Sequence, residues 1–552
     1  MEFKNIIMKT TNKHIISAIA LIAVVGLGGC KKSMDDLFQN PEAFTSTKIE
    51  YLLPTGIDAT LRQDYGDIYT NHLNGIAQIT QVVAGTADPI SFYRWTNDKG
   101  KWNGYYTNAN SMISLKGMEQ IYNYKIDEAQ REEYKPYLAM AKILMAYNTG
   151  RTTDFFDDMP YTDAFKGQNS LYGQPVILTP KYDTQQSIYY AILDDLKAAA
   201  ATLSAYTLNP TAYQTHSALP QQDILYQGDL LKWVKFANSL RLRFAMRISA
   251  KDATRARTEI NDLISSNAPL ITQNADNAYL YVGGQVAVAG GGSNTQLRSF
   301  NELPNQIYAP KLMVDQMTAA NDPRLNVFFA KPTVTGATAT TIVGLSPSAD
   351  ARNAAGLTTT TIPLQIASLN PVTIVKNTNL PTGIGITAAD VDFLLAEAAV
   401  NGLITGKTFS DANNYYSDGI RRSVEAYYDF YIKSPATDKD PLLNVQPGTA
   451  VKDALVNTSS YKLAAGTAIE QIALQKWMNT NILQSNETFT EYTRLDLPVL
   501  LPDIQAGIQL NTAEKIPKRA IIPSSETGSN SANYSAVAGK NNQNTRVWWD
   551  VK

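Results

Sequence analysis

Gly228-Asp229-Leu230-Leu231-Lys232-Trp233-Val234-Lys235-Phe236-Ala237-Asn238-Ser239-Leu240-Arg241-Leu242-Arg243-Phe244-Ala245-Met246-Arg247-Ile248 is the best-patterned segment of the chain. Leu230, Trp233, Ala237, Leu240, Phe244 and Ile248 recur at three- and four-residue steps, the spacing of an amphipathic helix that buries one face. Lys232, Lys235, Arg243 and Arg247 lie mostly off that stripe. Gly228 and Asp229 mark the start, because an Asp just before the periodic run can accept the unsatisfied N–H groups of a first helical turn.

The same pattern recurs on both sides of this segment. Thr387 and Asp390 form a capping-box pattern, and Val391, Leu394, Leu395 and Ala398 continue it to a stop at Gly402. After a short loop, Tyr416, Ile420, Val424 and Tyr427 share one face, so the two stretches predict a helical hairpin. Helices are also predicted over Tyr134–Asn148, Tyr182–Leu203 and Ile469–Leu483. No fixed repeat period is visible, so any tetratricopeptide-like stacking is degenerate. The fold class is mainly α. Two runs interrupt it: residues 282–293 are Gly-rich, and residues 333–361 are rich in Thr, Ala and Gly without apolar period. They predict loops or short strands inserted near 282–300 and 333–380, where binding residues are disproportionately found.

Composition narrows the class. Of 552 residues, 18% are charged and 44% hydrophobic, with a formal net charge of -2, which implies neither a nucleic-acid-binding face nor a disordered chain. Tyr is abundant, at 30 residues against 6 Trp and 16 Phe, and offers a flat apolar face with a hydroxyl at its tip.

At the N-terminus, Lys4, Lys9 and Lys13 precede an apolar stretch from Ile15 to Leu27 that ends at Leu27-Gly28-Gly29-Cys30. The stretch is shorter than the roughly 20 residues of a membrane span and has small residues at a cleavage position, so residues 1–29 read as a signal peptide. Cys30 is the single Cys of the sequence and falls where a lipobox places the acylated residue. With no second Cys, an internal disulfide has no partner. Three acyl chains on Cys30 exceed the two signals that stable anchoring needs. Residues 30–552 then form the mature part, held to a membrane by lipid.

Chemistry-bearing residues are sparse. His14 leaves with the signal peptide, and neither His72 nor His216 has a metal-spaced partner, so no metal or cofactor is expected. Asp154, Asp157, Asp158 and Asp163 have the composition of a cation site or of paired carboxylates for glycoside hydrolysis, but also of a turn, the reading favoured here. Trp233 and Trp477 fit helical stripes and read as core, and Trp548-Trp549 reads as a packed terminus. The aromatic group Phe92, Tyr93, Trp95, Trp102, Tyr105 and Tyr106 differs, because it sits among Asn, Asp, Gly and Lys with little helical period before Trp102. Exposed aromatics stack on the apolar faces of sugars while Arg94, Asn97 and Asp98 could hydrogen-bond hydroxyls. Phe92, Tyr93, Arg94, Trp95, Asn97, Asp98 and Trp102 are therefore the first candidates for ligand contact, although Trp102, Tyr105 and Tyr106 could start the next helix and pack inward. Tyr279 and Tyr281, beside the Gly-rich run, are a second set. No catalytic residue is assigned.

Five stretches together resemble the SusD/RagB family of outer-membrane nutrient-binding lipoproteins, most closely its second SusD-like subfamily. They are Asp35-Asp36-Leu37 with Asn40-Pro41; Asp154 to Ala164, which departs from the family turn at Phe156-Asp157; Pro180-Lys181-Tyr182-Asp183, which opens a helix; the Gly228–Ile248 segment; and a final set. That set comprises Gln475-Lys476-Trp477, Arg494 with Pro498, Ile516-Pro517-Lys518-Arg519 and Arg546-Val547-Trp548-Trp549-Asp550. The resemblance implies a SusD-like fold of degenerate tetratricopeptide-like helix pairs with an irregular, loop-rich ligand lobe. It also implies a cell-surface lipoprotein on the outer membrane of a Gram-negative bacterium. Such a protein binds an oligosaccharide, or in some members a peptide, and delivers it to a SusC-like TonB-dependent barrel without breaking a bond. A surface glycoside hydrolase and a pure scaffold are the competing classes.

Overall fold

Helices dominate the chain, and their starts are written in local side chains. The computed structural model describes residues 47–63, 65–86, 99–108, 110–281, 296–302 and 307–552. Eleven helices carry the description that follows: α1 (Ile49–Leu61), α2 (Asn110–Tyr124), α3 (Arg131–Phe156), α4 (Gln185–Leu208), α5 (Leu230–Ile248) and α6 (Ala253–Ser265) in the first half. The second half adds α7 (Gln296–Glu302), α8 (Ala388–Val400), α9 (Phe409–Lys433), α10 (Ala468–Thr480) and α11 (Ser485–Leu495).

The expected start of α5 is observed: Asp229 accepts the Lys232 N–H at 3.1 Å, and Gly228 takes a left-handed φ of +85° with Pro220 packed against it. The Thr387 capping box is also present, with Thr387 Oγ1 accepting from Asp390 N at 3.2 Å and Asp390 accepting from Thr387 N at 2.9 Å. Thr408 and Asp411 repeat it at the start of α9, so α8 and α9 form the predicted hairpin. The helix expected from Tyr182 begins instead at Gln185. Tyr182–Asp183 is a strand, because Asp183 Oδ2 accepts from the backbone of Tyr161 and Thr162 at 3.0 and 2.8 Å and ties that turn down.

The helices pack in neighbouring pairs, α1 on α2, α3 on α4, α4 on α5 and α8 on α9, and α5 and α10 both rest on α8. Glycines let some of them approach closely: a Cβ on Gly150 of α3 would lie 2.4 Å from the Phe244 ring of α5, and one on Gly419 of α9 would lie 2.6 Å from Phe393 of α8. From Ile49 onward the chain packs as one compact unit.

Strands are short. Among the described residues ten two-residue strands make five antiparallel pairs: β1 (Ala84–Gly85) with β5 (Ile307–Tyr308), β2 (Met159–Pro160) with β3 (Tyr182–Asp183), and β4 (Tyr279–Leu280) with β8 (Gly383–Ile384). The others are β6 (Phe329–Ala330) with β7 (Ser368–Leu369), and β9 (Ile504–Gln505) with β10 (Ile508–Gln509). Most buried apolar side chains join one core, but Ala84, Tyr308, Leu345, Ile362 and Ile366 form a second, smaller one.

The insertion expected over 333–380 is corrected at its C-terminal end. Residues 333–361 are mostly exposed, whereas Ala367, Leu369, Val372, Thr373, Ile374 and Asn377 are buried. Thr373 Oγ1 donates to Val327 O at 2.6 Å and Asn377 Nδ2 to Phe430 O at 2.8 Å, so these polar side chains hold a wall of the core rather than face solvent. Residues 282–295 of the other insertion lie outside the described residues.

Candidate functional site

Of the charged residues off the α5 stripe, Lys232 and Lys235 stay partly exposed, whereas the two arginines do not reach solvent. Arg243 and Arg247 are buried, because α11 supplies Glu487 and Glu491 and α3 supplies Asp154. Arg247 pairs with Glu487 at 2.8 Å and Glu491 at 2.5 Å. Arg494 grips Glu397 of α8 bidentately at 2.7 Å, and Lys476 bridges Glu397 and Glu491 at 2.5 and 2.9 Å. Motif residues far apart in sequence thus meet in one buried ion network, which satisfies charges that would be costly alone.

Its carboxyl groups differ. Burial pushes Asp154 up to about 6 despite Arg247 beside it. Burial also opposes ionisation of Glu487, yet Arg243 and Arg247 hold it below its ordinary value. Such a split is what an acid–base pair requires, and both groups line one small polar cavity of about 20 Å³. That volume admits roughly one water, whereas ligand pockets run to about 300–1,000 Å³. Both side chains are also committed: Asp154 Oδ1 accepts from Trp549 Nε1 at 2.9 Å and from the Tyr189 hydroxyl, and Glu487 is bound to Arg247.

The remaining acidic residues of this turn are tied as a turn requires. Asp157 Oδ1 accepts from Trp548 N at 2.8 Å and Oδ2 faces Arg519 at 3.3 Å. Asp158 accepts from Gln185 N at 2.9 Å and pairs with Lys540 at 2.8 Å, and Asp163 pairs with Lys166 at 2.7 Å. Among the described residues no His, Cys, Asp and Glu group has the form of a metal site. Trp233, Trp477 and Trp549 are buried, with the first two donating to Asp223 Oδ2 and Thr80 O at 2.8 Å.

Of the ligand candidates, Phe92, Tyr93, Arg94, Trp95, Asn97 and Asp98 lie outside the described residues, as does Cys30. Trp102 is corrected to a core position: it is 3% exposed, with its ring 5.0 Å from Phe156 and 4.8 Å from Tyr106. Tyr279 is partly buried and packs on Phe430 at 5.5 Å. Tyr281 stands at 88° to it and is 55% exposed.

A larger cavity of about 240 Å³ lies beside β5. Leu73, Phe300 of α7, Ile307 and Tyr308 line one side, and Ile366, Leu369, Pro371 and Val375 line another. On the same α7 helix, Arg298 sits 4.3 Å from the centroid of Tyr65, whose ring stacks on Tyr69 at 5.1 Å and whose hydroxyl donates to Glu302. Sequence reasoning missed Tyr65 and Tyr69, because a four-residue aromatic step is the same signal as a buried stripe. β1 pairs with β5 at the edge of this cavity, and Tyr281 and α7 flank residues 282–295 in the sequence.

The sequence matches the family model SusD-like_2, described as starch-binding and associating with the outer membrane, over residues 42–523. No curated protein matches it. A chitin-binding protein superposes with a TM-score of 0.69 at 23% identity, covering 91% of this chain and 100% of its own. A SusD homologue of Bacteroides fragilis gives 0.66 at 23%, covering 92% and 100%. A chitin-binding SusD homologue of Flavobacterium johnsoniae gives 0.65 at 21%, covering 91% and 99%. These likenesses establish a shared fold, and the match along most of its length establishes that the chain belongs to the SusD-like family of outer-membrane-associated binding proteins.

Proposed function

We propose that this protein is a cell-surface lipoprotein that binds an oligosaccharide without cleaving it and passes it to a SusC-like TonB-dependent barrel in the outer membrane. The observation that carries the reading is the family match over residues 42–523, whose description is starch-binding and outer-membrane-associated. Two relatives of the same fold bind chitin, another polysaccharide. In this reading residues 1–29 are removed, Cys30 carries the lipid, and residues 30–552 are the exported binding domain. Among the described residues no helix is long and apolar enough to cross a membrane.

Ligand contact is assigned to Tyr93 and Trp95 with Arg94, Asn97 and Asp98, and to Tyr281 as an exposed platform. Phe92 is retained with them. Stacking on rings with hydroxyl-directed polar neighbours suits a sugar. The carboxylates of the turn and of the ion network all have protein partners, which favours binding over hydrolysis.

The test is to incubate the purified mature protein with starch- and chitin-derived oligosaccharides and with peptide pools, measuring binding by calorimetry and products by chromatography. Saturable oligosaccharide binding with unchanged ligand is expected. Released products would establish a hydrolase, and binding of peptides alone would replace the glycan assignment. Co-purification with the barrel tests delivery separately.

A further inference from the structure

The 240 Å³ cavity lies where the two apolar cores meet without interlocking. Leu73, Phe300, Ile307 and Leu369 belong to the larger core, whereas Tyr308 and Ile366 belong to the smaller. Backbone bonds hold the seam together: Ala309 N donates to Ala367 O at 2.8 Å and Leu345 N to Ala309 O at 2.8 Å. The walls are therefore set by main-chain pairing and cannot collapse freely onto the space. The cavity opens to the surface at Lys331, Thr333 and Val334, which are exposed.

The lining selects an occupant. Pro332, Pro363 and Pro371 line it together with Phe300 and Tyr308, and among the described residues Thr333 and Ser368 supply the only side-chain hydroxyls besides Tyr308. A bare sugar would leave hydroxyls unpaired against these walls. Among the described residues Lys331 is the single charged residue of the lining; it is exposed, and no carboxylate of the described residues pairs with it. An apolar cavity of roughly 150 Å³ holds benzene, so this one accommodates a fused or substituted ring, whereas a long acyl chain would overflow it.

We propose that this cavity binds an aromatic carboxylate, its ring between the two cores and its carboxylate on Lys331. This site is distinct in chemistry from the glycan surface and does not depend on that reading. The probe is 2-naphthoate, titrated calorimetrically into the purified mature protein, with 2-naphthylmethanol as the uncharged control. Saturable one-to-one naphthoate binding is expected, stronger than that of the alcohol. Lys331→Gln, at an exposed position, should weaken naphthoate roughly tenfold and leave the alcohol unchanged. Val334→Trp, at a 44% exposed rim position, should block both. Absence of naphthoate binding by the unaltered protein would overturn the proposal, as would equal affinity in Lys331→Gln or full binding by Val334→Trp. Naphthoate binding is read without any oligosaccharide, so it can fail while glycan binding stands, and the reverse.

Discussion

Arg247 on α5 donates to Glu491 on α11 across 2.5 Å, although 244 residues separate them in sequence. The contact joins the best-patterned helix of the first half to a polar-looking helix near the C-terminus. It is part of a network in which Arg247 also meets Glu487, and Glu491 also meets Arg494 and Lys476. Charges buried at this depth are tolerated because each is paired, and removing one partner leaves the others exposed to the cost of desolvation.

Glu491→Gln should therefore lower stability by about 3–5 kcal/mol at pH 7. Burial opposes ionisation of Glu491, but Arg494, Lys476 and Arg247 outweigh it and hold the carboxyl well below its ordinary 4.5. A depressed carboxyl contributes stability above its unfolded-state value, and that contribution is lost as pH falls through the folded one. Urea unfolding should thus show a gap between the parent and the variant that narrows below pH 4.5. A gap of equal size at pH 7 and pH 3 would show that Gln disturbs packing and not charge.

Gly150→Ala tests the close approach of α3 to α5. In an open helix the change would gain about 1 kcal/mol. Here the new Cβ would meet the ring of Phe244, itself 1% exposed, at 2.4 Å. Overpacking of that kind costs about 1–3 kcal/mol, so a net loss of stability is expected by thermal unfolding. A stabilised variant would show that the Phe244 ring can turn aside.

Cys30→Ala should leave the fold intact and release the protein from membranes, since the lipid is the proposed anchor and no disulfide is at stake. Fractionation of cells lacking the partner barrel measures this. A variant that still pellets with outer membranes would refute the lipid anchor.

Trp95→Ala should weaken oligosaccharide binding about tenfold while costing less than the 3–5 kcal/mol typical of a lost core aromatic. Tyr281→Ala, at a position 55% exposed, should weaken binding with a stability change within about 0.5 kcal/mol. Calorimetric titration and thermal unfolding of the same samples separate the two effects. Early unfolding with normal binding at low temperature would move Trp95 into the core and the site elsewhere.

The sequence by itself determined the helical class, the start of α5 at Asp229, the α8–α9 hairpin and the core positions of Trp233 and Trp477. Those features are local: a capping side chain and a periodic stripe act within a few turns of the chain, so their signal is contained in the residues that obey them. Tertiary structure decided what neighbours across hundreds of residues supply. Arg243 and Arg247 read as an outer face until α11 brings carboxylates to them, because a charged side chain is ordinarily exposed unless paired. The burial of the tail of the 333–380 run and the contact of Arg298 with Tyr65 likewise depend on distant partners, whereas Trp102 packs inward at the start of a helix, one of the two readings its sequence allowed. The cavity beside β5 was invisible in the sequence, since an open cleft between two cores belongs to no segment. It exists only because distant strands pair and hold its walls apart.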